Sequence, residues 1–109
     1  MKTPTAIYAI AIPVVPANTQ NFTVRTSVLG SSYTFNFMWQ PTNGAMQAPY
    51  GQWRGNATMP DGSIRWFGVN PNAVNWTAYP DVGVSFNTKL QWIGLNDWSN
   101  VSMYLVTWS

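Results

Sequence analysis

The sequence predicts an all-β protein, a small antiparallel β-barrel or β-sandwich that forms a single domain over residues 1–109. Apolar and polar residues alternate with a period of two through much of the chain, and helical periodicity is nearly absent. Clusters of Gly, Pro, Asn and Ser separate the alternating segments at short intervals, as in sandwiches and barrels. A chain of 109 residues suits one domain, because at this size roughly two thirds of the unfolded surface is buried on folding.

The N-terminal segment, residues 1–17, is predicted to be an edge strand or arm. Ala6–Ile12 is β-prone and stops at Pro13, which cannot donate a ladder hydrogen bond. A basic residue followed by an apolar stretch is also typical of a secretory signal. Tyr8 and Pro13 interrupt this stretch, which is short for such a signal. We therefore expect it to be a strand or arm rather than a cleaved leader.

Two consecutive strands are predicted over Phe22–Leu29 and Tyr33–Trp39, with Gly30-Ser31-Ser32 as the turn between them. In the first strand, Phe22 and Val24 are expected to face inward, with Val28 as a third candidate. In the second strand the aromatic residues share one face: Tyr33, Phe35, Phe37 and Trp39. The other face carries Thr34, Asn36 and Met38. This alternation predicts that the aromatic face lies in the core.

The remaining elements are predicted from turn chemistry and short alternating runs. Trp53–Met59 and Ile64–Val69 should form a hairpin around Pro60-Asp61-Gly62, because Pro presets φ and Gly accepts a left-handed conformation. Asn70–Gly83 is predicted to be a long ordered loop. The last predicted strands are Val84–Phe86, Lys89–Leu95 and Val101–Trp108, with a polar loop over Asn96–Asn100. The total is roughly seven or eight short strands.

The residue types needed for most enzyme chemistry are missing from this chain. It has no histidine, cysteine or glutamate, and its only side-chain carboxylates are Asp61, Asp81 and Asp97. Each aspartate lies in a turn-like context, where such side chains usually bond to local backbone rather than form a catalytic pair. We therefore expect no catalytic residues, no metal site and no cofactor, and we predict that the protein is not an enzyme.

The charge pattern argues against nucleic acid as a partner and favours association with proteins. Charged residues make up 7% of the chain, against roughly 25% in ordinary domains. No two of the five basic residues lie closer than 11 positions apart: Lys2, Arg25, Arg54, Arg65 and Lys89. Such scattered bases offer no patch for reading nucleic acid. The sequence also has no apolar run long enough for a membrane span. A weakly charged surface is poorly protected against association, so we expect an assembly.

Aromatic residues are abundant, with 7 tryptophans, 5 tyrosines and 5 phenylalanines. The interface candidates are Trp76, Tyr79 and Trp98, which lie in predicted loops, together with Tyr50. Such residues can fill a core, anchor a protein interface, or offer flat rings on which sugars stack. Core and interface are favoured over sugar binding, and the sugar alternative stays open.

The middle and end of the chain resemble a family of small β proteins in contractile phage tails, which includes the baseplate plug of a cyanophage. The resemblance is clearest over Tyr33–Gln40, where aromatic and polar residues alternate and end in Trp and an amide. It extends to these further positions: Phe22-Thr23-Val24, Trp53, Asp61-Gly62, Gly68-Val69 and Tyr104-Leu105-Val106. It covers about Phe22 to Trp108, and the family implies a small β fold with no catalytic residues.

We therefore expect a structural component of a phage tail or baseplate, such as a plug or hub-associated protein, that acts by packing against protein neighbours. Its partners would be other tail and baseplate proteins, in multiple copies around the tail axis. Its location would be the virion, assembled in the host cytoplasm. The alternative is a carbohydrate- or receptor-binding β module that uses loop aromatics.

Overall fold

The computed structural model describes residues 4–41, 51–77 and 82–108, and this part of the chain contains eight β-strands and one short 3-10 helix. The strands are β1 (Pro4–Ile10), β2 (Asn21–Val28), β3 (Ser31–Pro41), β4 (Gly51–Thr58), β5 (Ile64–Gly68), β6 (Val74–Trp76), β7 (Val82–Asn87) and β8 (Ser102–Trp108). The 3-10 helix spans Trp98–Asn100. No helix among the described residues has the length and apolar character needed to span a membrane.

The strands form two antiparallel sheets of four strands each. Sheet 1 has the order β1-β8-β7-β6, and sheet 2 is a meander with the order β2-β3-β4-β5. Strand pairing among the described residues stays within each sheet, so the fold is a sandwich and not a closed barrel. The all-β prediction is confirmed, and of its two architectures the sandwich is the one that forms.

One hydrophobic core lies between the two sheets, and β3 supplies its centre. The four aromatic residues of β3 are all buried, while Thr34, Asn36 and Met38 are only partly buried on the other face. From sheet 1, β7 contributes Val84 and Phe86, and β8 contributes Met103 and Leu105; all four side chains are almost fully buried. The predicted inward set of β3 is therefore confirmed, and both sheets contribute to a single core.

The turns of sheet 2 follow local sequence chemistry. The hairpin between β2 and β3 turns at Leu29-Gly30, with φ values of 51° and 80°, and Val28 pairs with Ser31. Two left-handed residues in a two-residue loop match the twist of the flanking strands. The turn therefore comes one residue earlier than predicted. The turn at Pro60-Asp61-Gly62 forms as predicted and joins β4 to β5.

The prediction of a strand over Lys89–Leu95 is wrong, because this segment forms bends and a turn. The backbone of Gly94 forms hydrogen bonds with side chains and not with a neighbouring strand. Its carbonyl oxygen accepts a bond of 3.0 Å from the indole N–H of Trp53, and its N–H donates to the Asp97 carboxylate at 2.7 Å. Ile93 is buried in this irregular conformation, so the apolar character of the segment reflects burial and not strand pairing.

The predicted loop over Asn70–Gly83 also needs correction, because it contains β6 and the start of β7. Buried Asn75 on β6 organises this region. Its Nδ2 donates to the carbonyl oxygens of Asn70, Ala73 and Val84, at 3.1–3.2 Å. Its Oδ1 accepts from the backbone N–H and the side-chain Nδ2 of Asn70, at 3.1 and 3.0 Å. One amide side chain thus ties the turn after β5 to β7.

Candidate functional site

The two aspartates that the structure describes serve their own turns, as the sequence predicted. Asp61 accepts bonds from the hydroxyl and the backbone N–H of Ser63, at 2.6 and 2.9 Å. These bonds, the hydroxyl one first, lower the pKa of the Asp61 carboxyl below its ordinary value of 3.8. The Asp97 carboxylate accepts a hydrogen bond from the backbone N–H of Gly94. Asp81 lies outside the described residues. Both described carboxylates therefore have a structural explanation.

The described residues contain no group of three or more acidic, histidine or cysteine side chains that could hold a metal ion. The surface features that remain to be explained are aromatic and apolar. The candidate sites on the described surface therefore consist of exposed rings and uncharged faces.

Trp98 is not an exposed loop aromatic, so its assignment as an interface candidate is wrong. Its side chain is 3% exposed and belongs to the core. The 3-10 helix that begins at Trp98 turns the ring inward among four aromatic neighbours. Their ring centroids lie 5.0–5.8 Å away: Phe22, Phe37, Trp53 and Phe86. The apolar spacing of Ile93, Leu95, Trp98 and Val101, all buried, was the signal that could have indicated this.

Trp76 is exposed, as an interface anchor should be, with 61% of its surface accessible. It lies at the end of β6, an edge strand of sheet 1, and not in a loop. Tyr50 and Tyr79, the other two interface candidates, lie outside the described residues.

The outer face of sheet 1 is uncharged and mostly apolar over two cross-strand rows. One row runs through Ile7, Val106, Gly83 and Trp76. The next row runs through Ala9, Tyr104, Ser85 and Val74. These residues alternate with the core residues of the same strands, so they face away from sheet 2. Ile7 is 64% exposed and Val106 is 4% exposed, and Gly83 is also buried. None of the seven side chains on these two rows is charged.

A second surface, which we call the tryptophan groove, lies where β4 and β5 approach the segments around residues 70 and 92. It has a volume of about 750 Å³ and is open to solvent. Three exposed tryptophans line it: Trp66, Trp76 and Trp92, with exposed fractions of 51%, 61% and 45%. Polar side chains beside them are Gln52, Arg54, Asn70 and Gln91. Of the 14 described residues that line the groove, Arg54 alone is charged.

Sequence reasoning did not identify Trp66 or Trp92 as surface residues. The exposure of Trp66 follows from alternation along β5, since its neighbour Phe67 is buried in the core. Trp92 was assigned to a strand that does not form. Its position beside β4 depends on the bond between Trp53 and Gly94, which no local pattern predicts.

Comparison with known proteins does not extend these observations. No family model matches the chain, and comparisons with curated proteins and with solved structures yield no match. The two surfaces are therefore interpreted from their own chemistry.

Proposed function

We propose that this protein is a structural component of a phage tail or baseplate and that it acts by packing against neighbouring proteins. The observation that carries this proposal is the uncharged and mostly apolar outer face of sheet 1. In an antiparallel sheet with one buried face, the second face is usually polar because it meets water. Here the outer face of sheet 1 has no charged side chain over two rows, and its edge strands expose Ile7, Val74 and Trp76. Such a face is expected of a sheet that is covered on both sides.

The composition supports the same proposal. With 7% charged residues and a net charge of +2, the surface has little like-charge repulsion to keep copies apart. The partners we propose are other tail and baseplate proteins, with several copies arranged around the tail axis. Location in the tail rests on the resemblance of β3 and the following strands to small phage β proteins. Burial of apolar surface would hold the neighbours together.

Two isoleucines allow a matched test of the outer face of sheet 1. Ile7 on β1 and Ile64 on β5 are 64% and 61% exposed, both on edge strands, but they lie on different sheets. Ile7→Glu places a charge on the proposed contact face, and Ile64→Glu places the same charge on the outer face of sheet 2. We expect Ile7→Glu to weaken association, measured by sedimentation equilibrium with and without tail proteins, and Ile64→Glu to leave it unchanged.

Salt dependence and location complete the test. Association by burial should persist at 1 M salt, where the Debye length is about 3 Å and exposed charges are screened. A protein that stays monomeric at high concentration and ignores tail proteins would contradict the packing proposal. The tail location is tested separately by mass spectrometry of purified tail particles, in which the chain should be present.

A further inference from the structure

We propose that the tryptophan groove is a binding site for a neutral oligosaccharide. This inference does not depend on the packing role, although Trp76 at the end of β6 belongs to both surfaces; the other lining residues come from β4, β5 and two connecting segments. The proposal rests on the number of exposed rings, on the polar groups beside them, and on the way the groove is held in shape.

The three tryptophans supply stacking surfaces. An indole ring carries partial negative charge on its face, and it buries a large apolar area with little conformational freedom to lose. A pyranose ring presents a face of C–H bonds, which the neighbouring oxygens make slightly positive. The two faces are therefore complementary in shape and in charge. Trp66, Trp76 and Trp92 are each about half exposed, so each has ring surface available to a ligand.

The polar side chains around these rings match the edges of a sugar. Gln52, Asn70 and Gln91 carry amides, which both donate and accept hydrogen bonds, as hydroxyl groups do. Binding sites of this size, roughly 300–1,000 Å³, commonly combine an apolar lining with a few polar groups that fix orientation. The groove has this combination along an open channel.

The groove is held in shape by contacts that do not involve a ligand. The Arg54 guanidinium lies over the Trp66 ring, 4.9 Å from its centroid. This cation–π contact restricts the orientation of the ring. Asn75 holds the turn at Asn70, and the bond from Trp53 to Gly94 holds the segment that carries Trp92. A site built in advance loses less entropy on binding than a flexible one.

The charge of the groove lining distinguishes an uncharged ligand from nucleic acid and from a basic ligand. Nucleic acid requires several basic groups, and the described lining of the groove includes one, Arg54. That single cation is stacked on Trp66, and no described carboxylate lines the groove to bind a basic ligand. An uncharged ligand with many hydroxyl groups and flat apolar faces fits these features best.

The test is a glycan array that covers neutral, amino and acidic sugars, followed by calorimetric titration of cellohexaose, maltohexaose and the strongest neutral ligand from the array. We expect a neutral oligosaccharide to bind, and Trp66→Ala and Trp92→Ala each to raise Kd by at least about tenfold. Ile64→Ala is the matched control, because Ile64 is on the same strand as Trp66 and is at least as exposed, but it does not line the groove. Circular dichroism spectra must show that each variant is folded.

Three results would overturn the proposal. The first is an array without any neutral binder. The second is binding that Trp66→Ala and Trp92→Ala leave unchanged, or that requires an acidic sugar and disappears in high salt. The third is loss of self-association or of tail-protein binding in these two variants without any effect on sugars, which would make the groove a protein contact.

Discussion

Replacing Trp98 with alanine is expected to lower the free energy of unfolding by about 3 kcal/mol. Truncation of a buried Trp or Phe usually costs about 3–5 kcal/mol, through lost burial and the cavity left behind. Trp98 is 3% exposed, and four aromatic rings would face that cavity. Its buried indole N–H has no acceptor among the described residues, and removing an unsatisfied donor recovers about 1–3 kcal/mol. The expected net loss therefore lies at the lower end of the range.

A loss of this size is large against a typical total stability of about 5–15 kcal/mol. Urea unfolding followed by circular dichroism should show the midpoint of Trp98→Ala lowered by about 1–3 M. Circular dichroism is preferable to fluorescence because the mutation removes a fluorophore.

Trp76→Ala is the matched control, since it deletes the same side chain from an exposed position. Its unfolding free energy should stay within about 0.5 kcal/mol of wild type. Equal midpoints for Trp98→Ala and Trp76→Ala would refute the placement of Trp98 in the core.

Three further perturbations test other parts of the fold. Asn75→Leu should destabilise by about 2 kcal/mol or more in urea unfolding, because it removes the side-chain partner of the buried Val84 carbonyl and of two partly buried backbone groups of Asn70; wild-type stability would contradict this. Gly55→Ala should cost about 1–3 kcal/mol in thermal unfolding, since the new Cβ would lie 2.5 Å from the Phe67 ring; an unchanged melting temperature would contradict the close contact. The pKa of Asp61 is lowered by Ser63, so its carboxylate stabilises the fold above pH 3.8, and this contribution is lost as pH falls through the folded pKa. Asp61→Asn should therefore lose less stability on acidification than wild type, and identical acid profiles would contradict this.

The parts of the fold that follow from local pattern were predictable from the sequence. The inward face of β3 follows from strict alternation, and the turn at Asp61-Gly62 follows from the conformational preferences of its residues. The hairpin turn at Leu29-Gly30 was displaced by one residue, because a two-residue loop satisfies the strand twist better than the three residues suggested by small side chains.

The parts that depend on distant contacts were not predictable. The segment around Gly94 was misinterpreted because two of the hydrogen bonds of Gly94 are to side chains, and one of these belongs to Trp53, 41 positions away. The inward position of Trp98 depends on the same irregular segment. The tryptophan groove brings together Gln52, Trp66, Trp76 and Trp92 from four separate parts of the chain. A single-sequence pattern contains no signal for that convergence.

The pairing of β1 with β8 has a consequence for the order in which the protein folds. Sheet 2 is a meander of adjacent hairpins, so its contacts can form as soon as residues 21–68 have left the ribosome. Sheet 1 joins Ile10 to Met103, and β8, which lies between β1 and β7, is synthesised after the other seven described strands. Closing so long a loop is slow, because the chain entropy is lost before the contacts form. During synthesis, the aromatic face of sheet 2 is therefore exposed to solvent until sheet 1 has formed. Binding of a chaperone, or aggregation with another chain, would have its largest effect at that stage.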